Sequence, residues 1–262
     1  MSNIPIWIFD IDGTLTPSRG VIDPDFKCEL LDFIEYNKVF LVSGSDYSKS
    51  EEQLGSLILT SVERVYSCAG NSVWEEGSLL YENDWVPSSE QIDFFLNEFK
   101  NSKYPGKQGG NHIELRPGFV NFSILGRKNI SFDDRFFYKQ WDSLVNERVV
   151  IANRFNLMFP ELQASIGGET GIDIHPKGKD KSQILSNMPG ATEDRDIYFV
   201  GDAIEKGGND YEIAESVKVQ PRGSVIKVKD WTDTRKVIRN HWTVPQELNN
   251  INDMSYELND DE

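Results

Sequence analysis

Two cysteines, Cys28 and Cys68, are all that 262 residues carry. That is too few for a disulfide framework and suits a reduced cytoplasm. No apolar run approaches the ~20 residues of a membrane span. The N-terminus lacks the basic and apolar regions of a signal peptide. Basic residues are outnumbered, 27 Lys and Arg against 43 Asp and Glu, for a net charge of −16. Nucleic acid wants a basic footprint, so that balance argues against it. No internal repeat and no low-complexity segment is present. The expectation is a cytoplasmic globular protein with neither membrane nor nucleic acid among its partners.

What is present is ordinary in bulk: 38% hydrophobic and 27% charged residues, in a length that suits one large domain or two smaller ones. Residues 249–262 hold five carboxylates and no Lys or Arg, which reads as a flexible solvated tail. The chain is organised around Ile6-Trp7-Ile8-Phe9-Asp10-Ile11-Asp12-Gly13-Thr14-Leu15-Thr16. Four apolar residues in a row predict a strand buried on both faces, and Gly13 and Thr14 announce the loop that follows. In an open parallel sheet ligands bind at that carboxyl edge. Asp10 and Asp12, two apart in extended backbone, both face the crevice there. Carboxylates that close repel, and a divalent cation is the usual remedy, although an Asp-rich turn can also simply leave a buried strand.

Asp23 before Pro24 predicts a helix N-cap, and Phe26, Leu30, Phe33 and Ile34 recur at helical spacing to about Tyr36. Residues 38–42 form the next buried strand, ending in Ser43-Gly44-Ser45-Asp46. Strand, helix, strand over ~40 residues is a βαβ unit with parallel strands. Ser45 is a candidate cap for a helix through Leu54. Residues 62–67 read as a third parallel strand. Residues 71–74 and 78–81 read as a hairpin turning at Glu75-Glu76-Gly77.

From about Asn83 the pattern changes. Ile92, Phe95, Leu96 and Phe99 predict a helix. Residues 112–116 and 119–124 alternate around the turn at Pro117-Gly118. A second helix or pair covers about 132–153, and strands follow near 162–166 and 171–175. This grammar predicts an inserted α+β domain with an antiparallel sheet covered on one side. One sheet face collects His112, Glu114, Arg116, Asn121, Ser123, Gln163, Ser165, Asp173 and His175. The other collects Ile113, Leu115, Val120, Phe122, Ile172 and Ile174. The apolar face must meet the helices. The polar face either meets water or, in an enzyme cap, turns toward the carboxylates of the first domain. Arg127 and Arg135, just beyond the second strand, favour the cap.

Parallel-sheet grammar returns with Lys179-Asp180-Lys181 opening a helix through Leu185. A buried strand at 196–200 then ends in Gly201-Asp202, and Asp210 lies in the loop beyond. Asp202 repeats the Asp10 arrangement and is a candidate metal ligand. Asp210 ligates directly, ligates through water, or caps the next helix. A lysine in a first helical turn is slightly disfavoured by the helix dipole, which makes Lys181 a candidate anchor for phosphate. Segments 217–219 and 224–228 and a helix over about 230–240 complete the first domain. The whole is an α/β core with a parallel sheet over 1–82 and 178–244, an α+β cap over 83–177, and the tail 245–262.

The Asp10–Thr14 string resembles the DxDGT motif of the haloacid-dehalogenase superfamily of phosphotransferases. More narrowly, Asp12–Arg19, Gly44–Gly55, Ile113–Arg127, Ser165–Lys181 and Gly201–Asp210 resemble the eukaryotic-type phosphomannomutases from about Trp7 to Lys218. The resemblance implies a Rossmann-like core and interconversion of mannose 6-phosphate and mannose 1-phosphate through an aspartyl-phosphate and a hexose bisphosphate. It implies Asp10 as nucleophile, Asp12 as general acid and base, and Ser43 on the phosphate beside Lys181. Asp10, Asp12 through its carbonyl, Asp202 and Asp210 would hold Mg²⁺. Arg19, Arg116, Arg127, Arg135 and Asp173 would hold substrate, and a catalytic hexose 1,6-bisphosphate would serve as activator. A homodimer through the cap is also implied. The chain departs from the family at Gly171, where a Ser is usual, so only a backbone N–H remains there. Ser43-Gly44-Ser45-Asp46 is closer to the phosphatase pattern, and Ser216 stands where a second cation site has an acid. A sugar-phosphate phosphatase with water as acceptor, or an idle sugar-phosphate-binding protein, are the alternatives.

Overall fold

The computed structural model describes residues 4–191 and 195–241; the acidic tail lies outside them. The first domain begins with β1 (Ile6–Asp10), α1 (Pro24–Tyr36), β2 (Lys38–Val42), α2 (Tyr47–Leu54), α3 (Ser56–Ser61), β3 (Arg64–Ser67) and the hairpin β4 (Ser72–Glu75) and β5 (Ser78–Glu82). The inserted domain contains α4 (Ser89–Asn101), β6 (Ile113–Arg116), β7 (Phe119–Phe122), α5 (Phe132–Val145), α6 (Glu147–Met158), β8 (Leu162–Gly167) and β9 (Gly171–Pro176). The chain returns through a 3₁₀ turn at Lys181–Ser186 to β10 (Ile197–Gly201), α7 (Tyr211–Lys218), β11 (Gly223–Lys227) and α8 (Trp231–Asn240).

The core sheet runs β11-β10-β1-β2-β3-β4-β5. Its first five strands are parallel, and the β4–β5 hairpin closes it antiparallel. All five residues of β1 are buried because each face of the sheet is covered. Trp7 and Phe9 pack on Phe26, Leu30 and Phe33 of α1 and Ile238 of α8. Ile6 and Ile8, on the opposite face, pack with Ile184, Ile213 and Val217. The period of two thus splits one apolar string between two cores. At α1, Asp23 accepts hydrogen bonds from the Asp25 and Phe26 N–H groups, with Pro24 opening the helix.

The second sheet runs β6-β7-β9-β8, antiparallel throughout. Val120, Phe122, Ile172 and Ile174 pack against Phe95, Tyr138, Ile151 and Phe155 of α4, α5 and α6.

Several local expectations are corrected. The cap of α2 is Asp46, which accepts from the Lys49 N–H at 2.8 Å, rather than Ser45 one residue earlier. The segment from Lys181 is a 3₁₀ turn capped by Asp180, not an α-helix. Val217 belongs to α7 and packs in the core rather than opening an extended segment. On α4 the buried face is Gln91, Phe94, Phe95 and Glu98, while Leu96 is exposed. Two residues leave the polar sheet face: the His112 ring packs against Phe99, tilted by 38° with centroids 3.9 Å apart, and the Ser123 hydroxyl accepts from Gly126 N–H within a turn. Leu115 is 60% exposed because β6 is an edge strand. Among the described residues no helix is long and apolar enough to cross a membrane.

Candidate active site

β1, β2 and β10 are neighbours, and their carboxyl ends bring Asp10, Ser43 and Asp202 to one edge. Asp10 is 2% exposed. Lys181 Nζ donates to Asp10 Oδ1 and to Asp210 Oδ1, both at 2.6 Å. Asp210 stands at the N-cap position of α7, but its side chain makes no capping bond there, so of its alternatives the capping role falls away. Carboxylate oxygens of Asp10, Asp202 and Asp210 all lie within 4.8 Å of one another. Burial, reinforced by the Asp210 charge, pushes Asp10 well above the usual carboxylate range. The same two causes, in that order, raise Asp202 to about 6. Burial works against the Lys181 ammonium, but Asp10 and Asp210 together outweigh it and keep the amine charged.

Three crowded carboxylates against one ammonium leave negative charge in excess, and a hard divalent cation fits that donor set. The loop after β1 is shaped to allow the crowding. Gly13 has φ +85°, and a Cβ there would sit 2.6 Å from Asp202 Oδ2. Only glycine accepts both conditions.

Asp12 stands in that loop at the mouth of the cleft. Its Oδ1 accepts from the Arg19 N–H at 2.8 Å and from Gln53 Nε2 at 2.9 Å. Asp10, Asp12, Arg19, Ser43, Arg116, Asn121, Arg127 and Asp173 line one cleft. Arg135 joins Arg19, Arg116 and Arg127 in the space adjoining it. Gln163, Ser165, Asp173 and His175 of the cap sheet share a further recess with Lys181. The polar face of the inserted sheet therefore covers the carboxylate edge of the core instead of facing bulk water.

The guanidinium groups are crowded as well. Burial, aided by the like charges of Arg116 and Arg19 and opposed by Glu114, lowers Arg127 to about 10. Burial and Arg19 lower Arg135 too, and among the described residues its Nη1 is buried without a partner. Glu114 pairs with both Arg116 and Arg127, at 3.1 and 2.8 Å, and the positive charge left over suits an anion. Arg116 also reaches across to the core, donating from Nη1 to the Gly44 carbonyl at 2.6 Å.

Asp173 is raised by burial, against the opposing pull of Arg116, and accepts a hydrogen bond from Asn121 Nδ2. Gly171 lies behind that pair. A Cβ at this position would come 2.6 Å from Asn121 Nδ2 and 2.9 Å from the Gly167 carbonyl, so Asn121 fills the place of the missing side chain.

All twelve residues singled out from the sequence converge on this region except Gly171, which stands one layer back. Gln53 and Asn121 complete it. Asn121 carried a signal, its place on the polar strand face. Gln53 carried a fainter one, helical spacing that puts Ser50, Gln53 and Leu54 on the buried side of α2.

The profile of the family described as eukaryotic phosphomannomutase matches residues 29–244. The phosphomannomutase of Arabidopsis thaliana is 37% identical over 242 residues, covering 86% of this chain and 95% of the relative. Phosphomannomutase 1 of Dictyostelium discoideum is 34% identical over 242 residues, covering 88% and 95%. Among solved structures, a haloacid dehalogenase-like hydrolase from Bacteroides thetaiotaomicron superimposes with TM-score 0.57 at 14% identity, covering 91% of this chain and 100% of that one. A trehalose-6-phosphate phosphatase related protein gives 0.51 at 17%, covering 90% and 96%. The structural likeness establishes the haloacid-dehalogenase fold with a cap. The sequence likeness goes further: the chain belongs to the eukaryotic phosphomannomutase family.

Proposed function

We propose that this protein is a Mg²⁺-dependent phosphomannomutase that interconverts mannose 6-phosphate and mannose 1-phosphate through an aspartyl-phosphate on Asp10 and a hexose bisphosphate. The observation that carries the reading is the placement of Arg19, Arg116, Arg127 and Arg135 beside Asp10 and Asp12. A hydrolase needs to bind one phosphate. A mutase must also grip a second phosphate while the first reacts, and paired guanidinium groups are suited to that.

In the first half-reaction an Asp10 carboxylate oxygen attacks phosphorus as the bond to the leaving sugar oxygen breaks, and Asp12 protonates that oxygen. In the second, Asp12 takes the proton from a hydroxyl of a sugar monophosphate as that hydroxyl attacks the phosphorylated Asp10. Ser43 and Lys181 hold the transferred group between these events. Asp10, Asp202, Asp210 and the Asp12 carbonyl would hold Mg²⁺, whose charge stabilises the phosphoryl oxygens. A hexose 1,6-bisphosphate primes the cycle by phosphorylating Asp10. Asp173 orients the sugar. Proximity raises the effective concentration of a bound hydroxyl to ~10⁵ M or more, so transfer to sugar outruns transfer to water.

The test supplies mannose 1-phosphate with a trace of glucose 1,6-bisphosphate and follows mannose 6-phosphate and inorganic phosphate together by phosphorus NMR. Isomerised sugar in large excess over inorganic phosphate is expected. Inorganic phosphate without isomerised sugar leaves the phosphatase.

Truncating Arg127 or Arg135 to Ala is expected to lower kcat/KM for mannose phosphates by ~1.5–3 kcal/mol, the range for a hydrogen bond to a charged group. Hydrolysis of a small aryl phosphate, which has no distal phosphate, should barely change. Equal losses on both substrates would assign these arginines to the fold.

A second measurement concerns the cation. Asp202 ionises near 6, so between the unfolded value, about 4, and 6 the folded state holds a proton that the unfolded chain releases. Through this group the metal-free protein gains stability as pH falls across that window. Mg²⁺ must displace the same proton, so its increment runs the other way. The rise in Tm on adding Mg²⁺ is expected to be larger at pH 7.5 than at pH 5.5 and to shrink in Asp202→Asn. An increment independent of both would remove Asp202 from the ligand set.

A homodimer through the cap belongs to the same reading. Phe132 and Phe136, one turn apart on α5, are 78% and 56% exposed and support it; light scattering tests it. A cytoplasmic location is supported by two cysteines that form no disulfide.

A further inference from the structure

Bonded to Asp12 from behind the cleft is a buried polar group for which the chemistry above has no use. Gln53, on the last turn of α2, is 1% exposed. Its amide nitrogen donates to Asp12 Oδ1 at 2.9 Å and to the Thr16 hydroxyl at 3.1 Å. Its amide oxygen, among the described residues, is buried with no partner at all. A carboxylate only accepts, so the NH₂ end must be the one that faces Asp12. Leaving the other end unsatisfied carries a cost that a Leu or Met at the same position would avoid.

The scaffold around this amide is fixed. Asp46 caps the start of α2, the Tyr47 ring stacks on Trp74 with centroids 4.1 Å apart, and the Gln53 carbonyl accepts from the Ile22 N–H at 2.9 Å. The second donor to the same carboxylate oxygen is the Arg19 N–H, at 2.8 Å, aimed there by an Arg19 backbone in the left-handed region, φ 58°. Among the described residues Asp12 Oδ2 has only the Ser45 hydroxyl, at 3.5 Å, at the limit of a hydrogen bond. One oxygen is thus saturated and the other left open toward the cleft.

We propose that Gln53 is a positioning residue for the general acid and base: together with the Arg19 N–H it occupies Asp12 Oδ1, so that Oδ2 is the oxygen that carries the proton to the leaving sugar oxygen and takes it from the attacking one. This rests on the reading of Asp12 as the proton carrier. The proton on Oδ2 passes to the bridging oxygen as the phosphorus–oxygen bond breaks, and Asp12 is left as carboxylate, ready to accept a proton from the next sugar hydroxyl. Without Gln53 the carboxyl turns about its Cβ–Cγ bond, and misplacement of ~1 Å is enough to cost about 10²-fold in a positioned step.

The test exploits the fact that a good leaving group needs no proton. Gln53→Met keeps length and burial but removes the donor; Gln53→Glu keeps polarity but sets a like charge against Asp12. Single-turnover transfer to the enzyme is measured for 2,4-dinitrophenyl phosphate, 4-nitrophenyl phosphate, phenyl phosphate and glucose 1,6-bisphosphate, in order of rising leaving-group basicity. Expected is little change for the dinitrophenyl ester and a loss of roughly 10- to 100-fold for the bisphosphate in both variants, that is, a steeper dependence on leaving-group basicity. The dinitrophenyl rate also reports whether each variant is folded. Equal losses across the series, or none, overturn the proposal. Asp12→Asn in the same series separates the two levels. A flat series there removes the role of Asp12 itself, whereas a steep one there beside flat Gln53 variants removes only the role of Gln53.

Discussion

Asp10→Asn will abolish sugar-phosphate turnover while leaving the protein folded, with a Tm no lower than that of the parent. The two halves of that result have one cause. Asp10 is buried beside Asp210, and both burial and that neighbour oppose its charge. An amide of the same shape removes one carboxylate from the crowd, leaves Lys181 its bond to Asp210, and relieves repulsion that the parent tolerates. Active sites commonly hold such strain in exchange for activity. The amide cannot take up a phosphoryl group, however. Removing the nucleophile of a covalent mechanism costs on the order of 10⁴–10⁶ in rate. Purified variant is assayed with mannose 1-phosphate and melted by calorimetry in parallel. Near-parental turnover would move the nucleophile elsewhere, and a large drop in Tm would make Asp10 structural.

Lys181→Met will act in the opposite sense on stability. Lys181 is 2% exposed and is the cation bonded to both Asp10 and Asp210. Removing one partner of a buried ion pair leaves uncompensated charge and costs ~3–5 kcal/mol. The deficit should narrow as pH falls. Lys181 holds the raised Asp10 carboxyl down, so without the ammonium Asp10 ionises at higher pH than before, the folded state binds a proton that the unfolded chain lacks, and acid favours it. Mg²⁺ should narrow the deficit at neutral pH for the same reason, by supplying charge. Turnover should fall by roughly 10²–10³, the usual worth of one group aimed at developing charge. Denaturant titrations at pH 5.5 and 7.5 check this; a deficit equal at both values would mean that the lysine stem, not its charge, matters.

Much of this arrangement is legible in the chain because β1, β2 and β10 are short apolar strings that end in a polar residue at the same edge. Their parallel pairing follows from the helices between them, and it brings Asp10, Ser43 and Asp202 together without any need to know side-chain contacts. The failures lie where chemistry repeats at adjacent positions or where burial overrides pattern. Ser45 and Asp46 are both good caps, and only the backbone turn decides for Asp46. His112 continues the polar alternation of β6, yet its ring finds an aromatic partner in Phe99 and leaves the face. Leu96 has helical spacing with Ile92 and Phe99, but the buried stripe passes through Gln91, Phe94, Phe95 and Glu98 instead. Gln53 is hard to read because an amide beside two glutamates resembles a solvated helix surface; only its neighbour Leu54 hints that the helix turns that side inward.

The insertion of the cap also has a consequence for how the chain is made. The central strand of the core, β1, pairs on one side with β2, but on the other with β10, Ile6 against Ile197. At ~5–20 residues per second, roughly 10–40 s separate the synthesis of the two partners on a ribosome. During that interval β1 offers an unpaired apolar edge, the kind of surface that invites wrong pairing. The cap has no such wait: its four strands and three helices lie between Ser89 and Pro176 and bury their own apolar cluster. The nascent chain should therefore carry a finished cap on an unfinished core. A chain arrested between residues 177 and 196 should resist protease over the cap and aggregate through the core, whereas release after β10 should close both.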